Sequence, residues 1–600
     1  MNLLSQEIDA VRAREIHLTP PHHPTSTADP LRMVFLFPYG HAYSLMCNGP
    51  MSLWDLINRS PDIPASAERA IQYECLIPRG NRLATPEGTP YRSIESAAPV
   101  HDADVVGVSV TNAGDLHSVF RLLDLAGIPR RSADRTPGIH PLVVGGNGGL
   151  ANPEILASYL DVIALGEAEQ SLAELLRTVH DHRGHHDTGR LLEHLARIPG
   201  LYVPALYGCD FLPGGGVSAV YPRTATIPAA VHAQYLTLRD LHPAHFTYPV
   251  TDGTAAGLHP VIGCLHSCTF CTLGVPPFRQ APLELLTAYV DRLEHHQVET
   301  IIISAATFTE YRNRRALLDH IRGYRRRAAA SGRNVTTIIG SVRADEVSAD
   351  YLDAVAELGD FGHLFTELSL PHSPQARGII TIAPEWAAPD LVALYGKTQR
   401  QDRVDKAIDL CRRNQHINTV MLYFIVGAPG EQPADRLAIA AYARNVRERL
   451  GRPDASVIVK LHQFMPEPGT PAQRLRMANP EVIDRYVEDI RGELRSLVGT
   501  QVYESFYRVL YGESSRLYLE ALCLRGDRRV GRVLEDLYDS DTDLSVLTLP
   551  DLLKALAPHG LDLDRHLRHI DDPVLPWHVV NDVPPQAEHA LANAVYGREE

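Results

Sequence analysis

Three cysteines, Cys264, Cys268 and Cys271, lie in the run Gly-Cys-Leu-His-Ser-Cys-Thr-Phe-Cys. The C-x3-C-x2-C spacing puts three thiolates on one short loop, where they could bind three irons of a [4Fe–4S] cluster. Such clusters are normally held by four thiolates, so a triad leaves one iron open to a substrate or cofactor. The alternative is a zinc site completed by His259 or His266, although no second Cys or His pair follows at the spacing of a zinc module.

The elements that must position this loop form a series of strand–helix units over residues 255–475. A strand precedes the loop, and further apolar runs predict strands at 300–304, 336–341, 378–383, 419–426 and 456–460. Near-continuous apolar strands that alternate with helices indicate a parallel sheet. About six such units predict a partial (β/α)6 barrel, and the helical patterns from residue 480 onward predict a helical C-terminal domain.

The N-terminal third has a similar pattern. After an irregular arm at 1–30, apolar runs predict strands at 33–37, 105–110, 141–146 and 162–165, with helices at 116–125, 153–159 and 167–180. This alternation predicts a Rossmann-like, doubly wound α/β domain, whose carboxyl edge binds ligands in folds of this kind. Residues 212–232 read as a Gly/Pro-rich connection. The predicted domains are 1–225, a linker at 226–250, 251–478 and 479–600.

Composition restricts the partners and the compartment. The chain has 600 residues and a formal net charge of -15, a field that disfavours nucleic acid. The other five cysteines are scattered singly and do not indicate a disulfide framework. The first residues do not read as a signal peptide, and no apolar run is long enough for a membrane span. We therefore expect a cytoplasmic protein without a membrane or nucleic-acid partner.

The cysteine spacing, with Phe270 before the last cysteine, resembles the cluster loop of the radical S-adenosylmethionine (SAM) superfamily. Loops after later strands resemble its SAM-binding loops, and the resemblance implies SAM contacts at Ser304, Glu385 and Gly427. Many family members carry Gly-Gly-Glu after the second strand, where this chain has Ser-Ala-Ala-Thr. The next glutamate, Glu310, lies six residues beyond Ser304.

Residues 30–200 resemble the cobalamin-binding domain that precedes many radical SAM domains, because Val-Gly-Val-Ser-Val-Thr-Asn (106–112) and Val-Val-Gly-Gly-Asn-Gly-Gly (143–149) follow its pattern. The implied cobalamin contacts are Ser109, Thr111, Gly145, Gly146 and Glu167. The alternative is that these glycines make a tight turn in a domain without a ligand.

The Asp-x-His-x-x-Gly motif of many cobalamin proteins is missing from the first loop of this domain. The resemblance therefore implies that the lower face of cobalt has no ligand or faces another residue, such as Arg69.

Together these features resemble cobalamin-dependent radical SAM methyltransferases, most of all the tryptophan 2-C-methyltransferases of thiopeptide biosynthesis. The resemblance implies a [4Fe–4S] cluster, cobalamin, SAM and an electron donor, with methylation of an unactivated carbon, best placed at C2 of tryptophan, through methylcobalamin. Tyr311 and Glu385 are the candidate catalytic residues, and Tyr311, Phe308 and Trp386 are candidates for an indole slot. The alternatives are a methyltransferase for another natural-product or peptide substrate, and a non-enzymatic cobalamin sensor.

Overall fold

The computed structural model divides into two compact units. The first contains residues 1–254, 518–566 and 570–582, and the second contains 255–517, 567–569 and 583–600. The residues that the structure describes are 2–18, 29–110, 115–147, 150–184, 188–213, 215–237, 249–251, 255–339, 342–349, 351–353, 379–415, 417–512 and 514–599.

The strands of the first unit are β1 (Glu15–His17), β2 (Leu31–Leu36), β3 (Ala65–Ala70), β4 (Ile77–Arg79), β5 (Arg82–Ala84), β6 (Val105–Ser109), β7 (Leu142–Asn147), β8 (Val162–Leu165), β9 (Leu201–Tyr202), β10 (Tyr207–Phe211), β11 (Val217–Pro222) and β12 (Pro249–Thr251). The strands of the second unit are β13 (Ala255–Leu258), β14 (Val261–Ile262), β15 (Arg279–Gln280), β16 (Thr300–Ile303), β17 (Thr336–Ile339), β18 (Ile379–Glu385), β19 (Thr419–Val426), β20 (Ser456–Gln463) and β21 (Tyr507–Leu510).

The described α-helices, in chain order, are α1 (Leu3–Arg14), α2 (His41–Ser44), α3 (Asn48–Arg59), α4 (Leu116–Ala126), α5 (Glu169–Asp181), α6 (Thr188–Leu195), α7 (Leu283–His295), α8 (Arg314–Ala330), α9 (Pro389–Leu394), α10 (Gln401–Arg413), α11 (Pro433–Leu450), α12 (Pro480–Val498), α13 (Thr500–Phe506), α14 (Ser514–Arg525), α15 (Arg528–Asp539), α16 (Leu549–Leu556), α17 (Leu563–Leu567) and α18 (Pro585–Gly597).

The first unit is built on a six-stranded sheet in the order β3-β2-β6-β7-β8-β9. All neighbouring strands are parallel except the last pair, β8 and β9. The strands β2, β6 and β8 are apolar and buried along most of their length, as expected for a sheet that is covered on both faces. This arrangement confirms the predicted doubly wound α/β fold.

The second unit contains all six predicted strands of the partial barrel. Hydrogen bonds join them as two parallel sheets, β13-β16-β17 and β18-β19-β20, and β21 extends the second sheet as a further parallel strand. The chain that connects β17 to β18 includes residues 354–378, which lie outside the described residues. The predicted fold class is therefore confirmed, with β21 as a strand in the predominantly helical C-terminal region.

Three local predictions were wrong. Strand β3 was missed because its sequence carries Glu68 and Arg69, which are buried by ion pairs and not by apolar packing. The connection at 212–232 contains β11, which pairs with β10 as a hairpin with Gly215 and Gly216 in the described part of its turn. The helix predicted at 153–159 is a single 3-10 turn at Glu154–Leu156, where Arg528 holds the buried Glu154 carboxylate at 2.8 Å.

The predicted domain boundaries remain predictions. The residues after 479 do not form one separate body in the structure, because they are shared between the two units. Among the described residues, we find no helix with the length and apolar character that crossing a bilayer requires.

Candidate active site

The cysteine loop lies between β14 and β15, a short antiparallel pair that closes the loop at its base. Cys264, Cys268 and Cys271 are all half-buried and form no disulfide. Burial raises the pKa of the Cys268 and Cys271 thiols, and each thiol also responds to the charge of its cysteine neighbours, so the three sulfurs lie near one another. Three neighbouring thiols on one loop fit the donor set of an iron–sulfur cluster.

Within the described residues, no three His, Cys, Asp or Glu side chains converge to hold a single metal ion. Thiolates of a cubane bind different irons, so they stand farther apart than the ligands of one ion. His266, a candidate fourth ligand in the zinc alternative, has its Nε2 atom 2.5 Å from Glu310 Oε1. Its Nδ1 atom lies 3.4 Å from the Thr398 hydroxyl. His266 therefore has protein partners at both ring nitrogens.

Backbone hydrogen bonds fix the second half of the loop. The Thr269 N–H and hydroxyl both donate to the Tyr395 carbonyl, at 3.0 and 3.1 Å. The Ala472 N–H donates to the Thr269 carbonyl at 3.0 Å. Thr269 is thus held from two sides, between the second and the third cysteine.

An aromatic cluster packs beneath this part of the loop. The Phe270 ring lies edge-on to Trp386, with 5.3 Å between ring centroids, and Trp386 stacks on Tyr395 at 4.7 Å. Trp386 and Tyr395 belong to a buried apolar cluster that also contains Phe464. The aromatic residue before the last cysteine therefore anchors the loop to the core of the second unit.

Two glycines allow the loop to fold back on itself. A Cβ at Gly274 would lie 2.5 Å from the His266 carbonyl oxygen, and one at Gly263 would lie 2.6 Å from the Pro276 carbonyl oxygen. Gly263 also has a φ of +74°, which favours glycine. The arrangement of the three thiols in space therefore depends on glycine at both positions.

The predicted SAM contacts lie at carboxyl ends of parallel strands. Ser304 is exposed directly after β16, and its N–H donates to the Leu258 carbonyl at 2.9 Å. Glu385 ends β18 with a φ of +68°, a conformation that costs a non-glycine residue about 1–3 kcal/mol. Lys397 holds the Glu385 carboxylate at 2.7 Å and also donates to the Ala383 carbonyl. Strain at a charged, paired residue is a feature of functional sites.

Gly427 follows β19 with a φ of +77°, and a Cβ there would lie 2.4 Å from Ile483 Cδ1. Its N–H donates to Glu431 Oε2 at 2.6 Å. Burial raises the pKa of Glu431 to about 7, although the Gly427 N–H and the charge of Arg436 favour the ionised form. The loop after β19 is therefore closed by its own buried carboxyl group, a feature that sequence analysis did not identify.

The predicted indole slot is part of the protein core. Tyr311 and Phe308 are fully buried, and Trp386 is 3% exposed. The Tyr311 hydroxyl donates to the Ala281 carbonyl at 2.9 Å. These aromatic side chains support the loops, and the hydroxyl of Tyr311 has a backbone partner in this structure.

The predicted cobalamin contacts in the first unit lie in different environments. Ser109 is half-buried at the end of β6, and Thr111 lies outside the described residues. A Cβ at Gly145 would lie 2.4 Å from Leu160 Cδ1, and one at Gly146 would lie 2.4 Å from the Ala164 carbonyl oxygen. Packing within the sheet therefore restricts side-chain size at both positions, and their contact with cobalamin stays a prediction.

Glu167 lies after β8, as the sequence predicts. Its side chain accepts from the Leu236 N–H at 2.6 Å, and its own N–H donates to the Gln234 carbonyl. Both bonds join Glu167 to the segment that follows β11, and they give the carboxylate a structural partner.

Arg69 is buried among charged partners within the first unit. Its side chain is 1% exposed and pairs with Glu15 at 2.8 Å and with Glu95 at 2.7 Å. The guanidinium also lies 4.6 Å from the centroid of the Trp54 ring. Burial alone would raise the pKa of Glu15, but the Arg69 charge and hydrogen bonds from His41 and Arg69 lower it to about 2. Arg69 therefore has a structural role in this unit.

Sequence analysis missed two polar pairs near the cysteine loop, Glu385–Lys397 and His266–Glu310. The sequence contained one indication of the Glu385–Lys397 pair. Only four of the 57 basic residues are lysines, and Lys397 is one of them. The pairing of His266 with Glu310 depends on how the loop folds, and no spacing rule predicts it.

Comparisons with known proteins agree with this site. Residues 258–443 match the family model of the radical SAM superfamily, and residues 49–204 match the model of the N-terminal region of radical SAM proteins. A curated relative, the ribosomal protein uS12 methylthiotransferase RimO of Trichlorobacter lovleyi, is 23% identical over 312 residues, which are 50% of this chain. The chain spans 63% of the length of that relative.

Two solved structures are similar over most of the chain. The radical SAM methyltransferase TsrM of Kitasatospora setae, solved with tryptophan and a SAM analogue, has a TM-score of 0.46 and 13% identity over 85% of this chain and all of that chain. The cobalamin-dependent radical SAM enzyme OxsB, solved with aqua-cobalamin, has a TM-score of 0.45 and 13% identity over 95% of this chain and 84% of that chain. At 13% sequence identity, neither structural similarity is by itself evidence of function.

The superfamily model covers the cysteine loop, β14 to β19 and the SAM candidates Ser304, Glu385 and Gly427. Members of this superfamily use a [4Fe–4S] cluster and SAM, which confirms that part of the cofactor prediction. The chain therefore carries a radical SAM domain at residues 258–443, preceded by a radical SAM N-terminal domain at residues 49–204.

Proposed function

We propose that the protein is a cobalamin-dependent radical SAM methyltransferase that methylates a carbon atom of a small molecule. The observation that carries the proposal is the single cysteine triad of a radical SAM domain, on a loop fixed by Thr269 and its aromatic support. A triad leaves one iron of the cluster without a cysteine, where SAM can bind. The N-terminal sheet, with its resemblance to cobalamin-binding domains, supports the second cofactor.

In this proposal, the three cysteines hold the cluster, and Ser304, Glu385 and Gly427 contact SAM at the carboxyl ends of β16, β18 and β19. Ser109 and Thr111 are the proposed cobalamin contacts in the first unit. Cobalamin would supply a methyl carrier, and the cluster would supply electrons that come from an external donor. Lys397 keeps the Glu385 carboxylate in place beside the thiols.

The proposed substrate is tryptophan, with C2 as the methylated atom, and the protein would act in natural-product biosynthesis in the cytoplasm. Support comes from the resemblance of the chain's architecture and motifs to the tryptophan methyltransferases. Incubation of the reconstituted protein with SAM that carries a deuterated methyl group and tryptophan tests this substrate by mass spectrometry. A product three mass units heavier than unlabelled methyltryptophan supports it. If the label is transferred only to a different small molecule, that molecule replaces tryptophan as the proposed substrate, and the proposed reaction class is kept.

A methylthiotransferase is the second candidate, because the curated relative RimO has that activity. We expect such an enzyme to need a second cysteine triad, and the other cysteines of this sequence stand singly, at positions 47, 75, 209, 411 and 523. The absence of a methylthio group in any product, with methyl transfer present, separates the two candidates. A cobalamin sensor would bind cobalamin without assembling a cluster.

A further inference from the structure

The two faces of the sheet β18-β19-β20-β21 differ in cover toward the carboxyl ends of the strands. Helices α11 and α12 pack against one face, where the side chains of β19 and β20 are fully buried. Phe424 of β19 belongs to this face, since its ring lies edge-on to the ring of Tyr442 in α11, with 5.4 Å between ring centroids. Because side chains alternate along a strand, the neighbouring residues belong to the opposite face.

On the opposite face, Tyr423 of β19 lies beside Lys460 of β20, and Ile425 lies beside His462 in the next pair. Tyr423 and Lys460 are half-buried, and His462 is exposed. These pairs lie near the carboxyl ends of their strands, the edge at which Gly427 follows β19. In α/β folds, ligands bind at this edge.

Lys460 is a cation without an acidic partner among the residues that the structure describes. Its Nζ atom lies 3.4 Å from the Tyr423 hydroxyl and 5.1 Å from the centroid of the Tyr423 ring. By contrast, Lys397 is held by Glu385, while Lys406 and Lys554 are exposed on helices. A half-buried ammonium that lacks a counter-ion favours binding of an anion.

A pair of stacked aromatic rings lies next to this cation. The rings of Tyr423 and His462 stack with 5.3 Å between centroids and an angle of 7° between planes. The partial burial of the His462 ring between its neighbours and the positive charge of Lys460 lower the pKa of His462, which favours the neutral imidazole. A planar ligand can pack against this pair while its anionic group reaches Lys460.

We propose that Lys460 and Tyr423 bind the carboxylate of the substrate, and that the stacked Tyr423 and His462 rings pack against its planar body. The site would select a small aromatic carboxylic acid, a class that includes aromatic amino acids. The ammonium and the tyrosine hydroxyl would each donate a hydrogen bond to the carboxylate, and bonds to charged groups are the stronger ones. The inference rests on the proposed function, because it assigns this site to the methyl acceptor.

The experiment compares binding of acids with binding of their neutral amides. The probes are L-tryptophan, indole-3-acetate, phenylacetate and benzoate, each beside its primary amide, and their dissociation constants are measured by anaerobic calorimetry on the reconstituted full chain. We expect the wild-type protein to prefer at least one acid over its amide by roughly 10-fold or more, the effect of one charged hydrogen bond. Lys460→Met should remove this preference, while Lys406→Met, the exposed control, should keep it.

Tyr423→Phe removes only a hydroxyl, so it provides a second test if Lys460→Met fails to fold. We expect it to weaken binding of the acid several-fold and to leave binding of the amide unchanged. A wild-type protein that prefers no acid over its amide would overturn the inference, and so would a preference that survives in Lys460→Met or is lost equally in Lys406→Met. Binding requires no turnover, so failure of methyl transfer from SAM to any product would contradict the proposed function separately.

Discussion

The carbonyl oxygen of Tyr395 accepts two hydrogen bonds from Thr269, one from its N–H at 3.0 Å and one from its hydroxyl at 3.1 Å. Thr269 lies between two cysteines of the triad, and Tyr395 belongs to the buried aromatic cluster below the loop. This residue pair therefore couples the position of the thiols to the core of the radical SAM domain.

Thr269→Val tests this coupling, because valine keeps the shape of threonine and removes the hydroxyl bond. The loss of one hydrogen bond costs about 1 kcal/mol, so we expect the variant to release cluster iron to a chelator several-fold faster than the wild-type protein. Thr287→Val is the matched control, since the Thr287 hydroxyl also bonds a backbone carbonyl, that of Leu283, but on helix α7. Equal rates of iron release in all three proteins would contradict the coupling.

Gly274→Ala tests the close approach within the loop. The added Cβ would lie 2.5 Å from the His266 carbonyl oxygen, so the backbone must shift. We expect a several-fold lower iron content after anaerobic reconstitution, with unchanged far-ultraviolet circular dichroism. Gly492→Ala on helix α12 is the control, because nothing lies within 4 Å of its added Cβ. Full iron loading in Gly274→Ala would show that the loop has room that the structure does not indicate.

The sequence predicted strands that are buried by apolar side chains better than strands that are buried by charged ones. Apolar strands such as β6 and β8 were found to within a residue because their periodicity reports burial directly. Strand β3 was missed because Glu68 and Arg69 are buried by charge pairing, which periodicity does not report.

For the site, cysteine spacing identified the cluster loop because its ligands are close in sequence. Sequence patterns did not predict the partners of Arg69 and Tyr311, because those partners, Glu95 and Ala281, are distant in sequence. No local pattern predicts such partners, because the fold brings them together.

Arg69→Met tests the structural role of the buried ion pairs in the first unit. The substitution leaves the carboxylates of Glu15 and Glu95 buried without their cation, which costs about 3–5 kcal/mol of unfolding free energy. Urea denaturation followed by circular dichroism measures the loss. The exposed pair of Arg177 and Asp62 supplies the control Arg177→Met, where we expect a change of about 1 kcal/mol or less. A similar small change in Arg69→Met would contradict the role.

Glu431→Gln tests the raised pKa in the loop after β19. A carboxyl group whose pKa rises from 4.5 to about 7 on folding stabilises the fold below pH 4.5 and loses this contribution as the pH rises through about 7. From the size of this shift, we expect the wild-type protein to lose about 3 kcal/mol of unfolding free energy over this range through Glu431.

The amide side chain that Glu431→Gln introduces does not titrate. We therefore expect this variant to have a flatter stability profile between pH 4.5 and 8 and to exceed the wild-type stability at pH 8. Urea denaturation at several pH values measures both profiles. Glu488→Gln, at an exposed position of α12, should follow the wild-type profile. Parallel profiles for the wild-type protein and Glu431→Gln would show that Glu431 is ionised in the folded protein at neutral pH.

Electron paramagnetic resonance of the reduced protein, with and without SAM, tests most directly whether Cys264, Cys268 and Cys271 hold a [4Fe–4S] cluster with one open iron. We predict a cluster signal that changes when SAM is added, because SAM reaches the iron without a cysteine. The variant with alanine at all three positions should show no cluster signal and little iron. A wild-type signal that SAM leaves unchanged, or near-normal iron in the triple variant, would contradict the assignment.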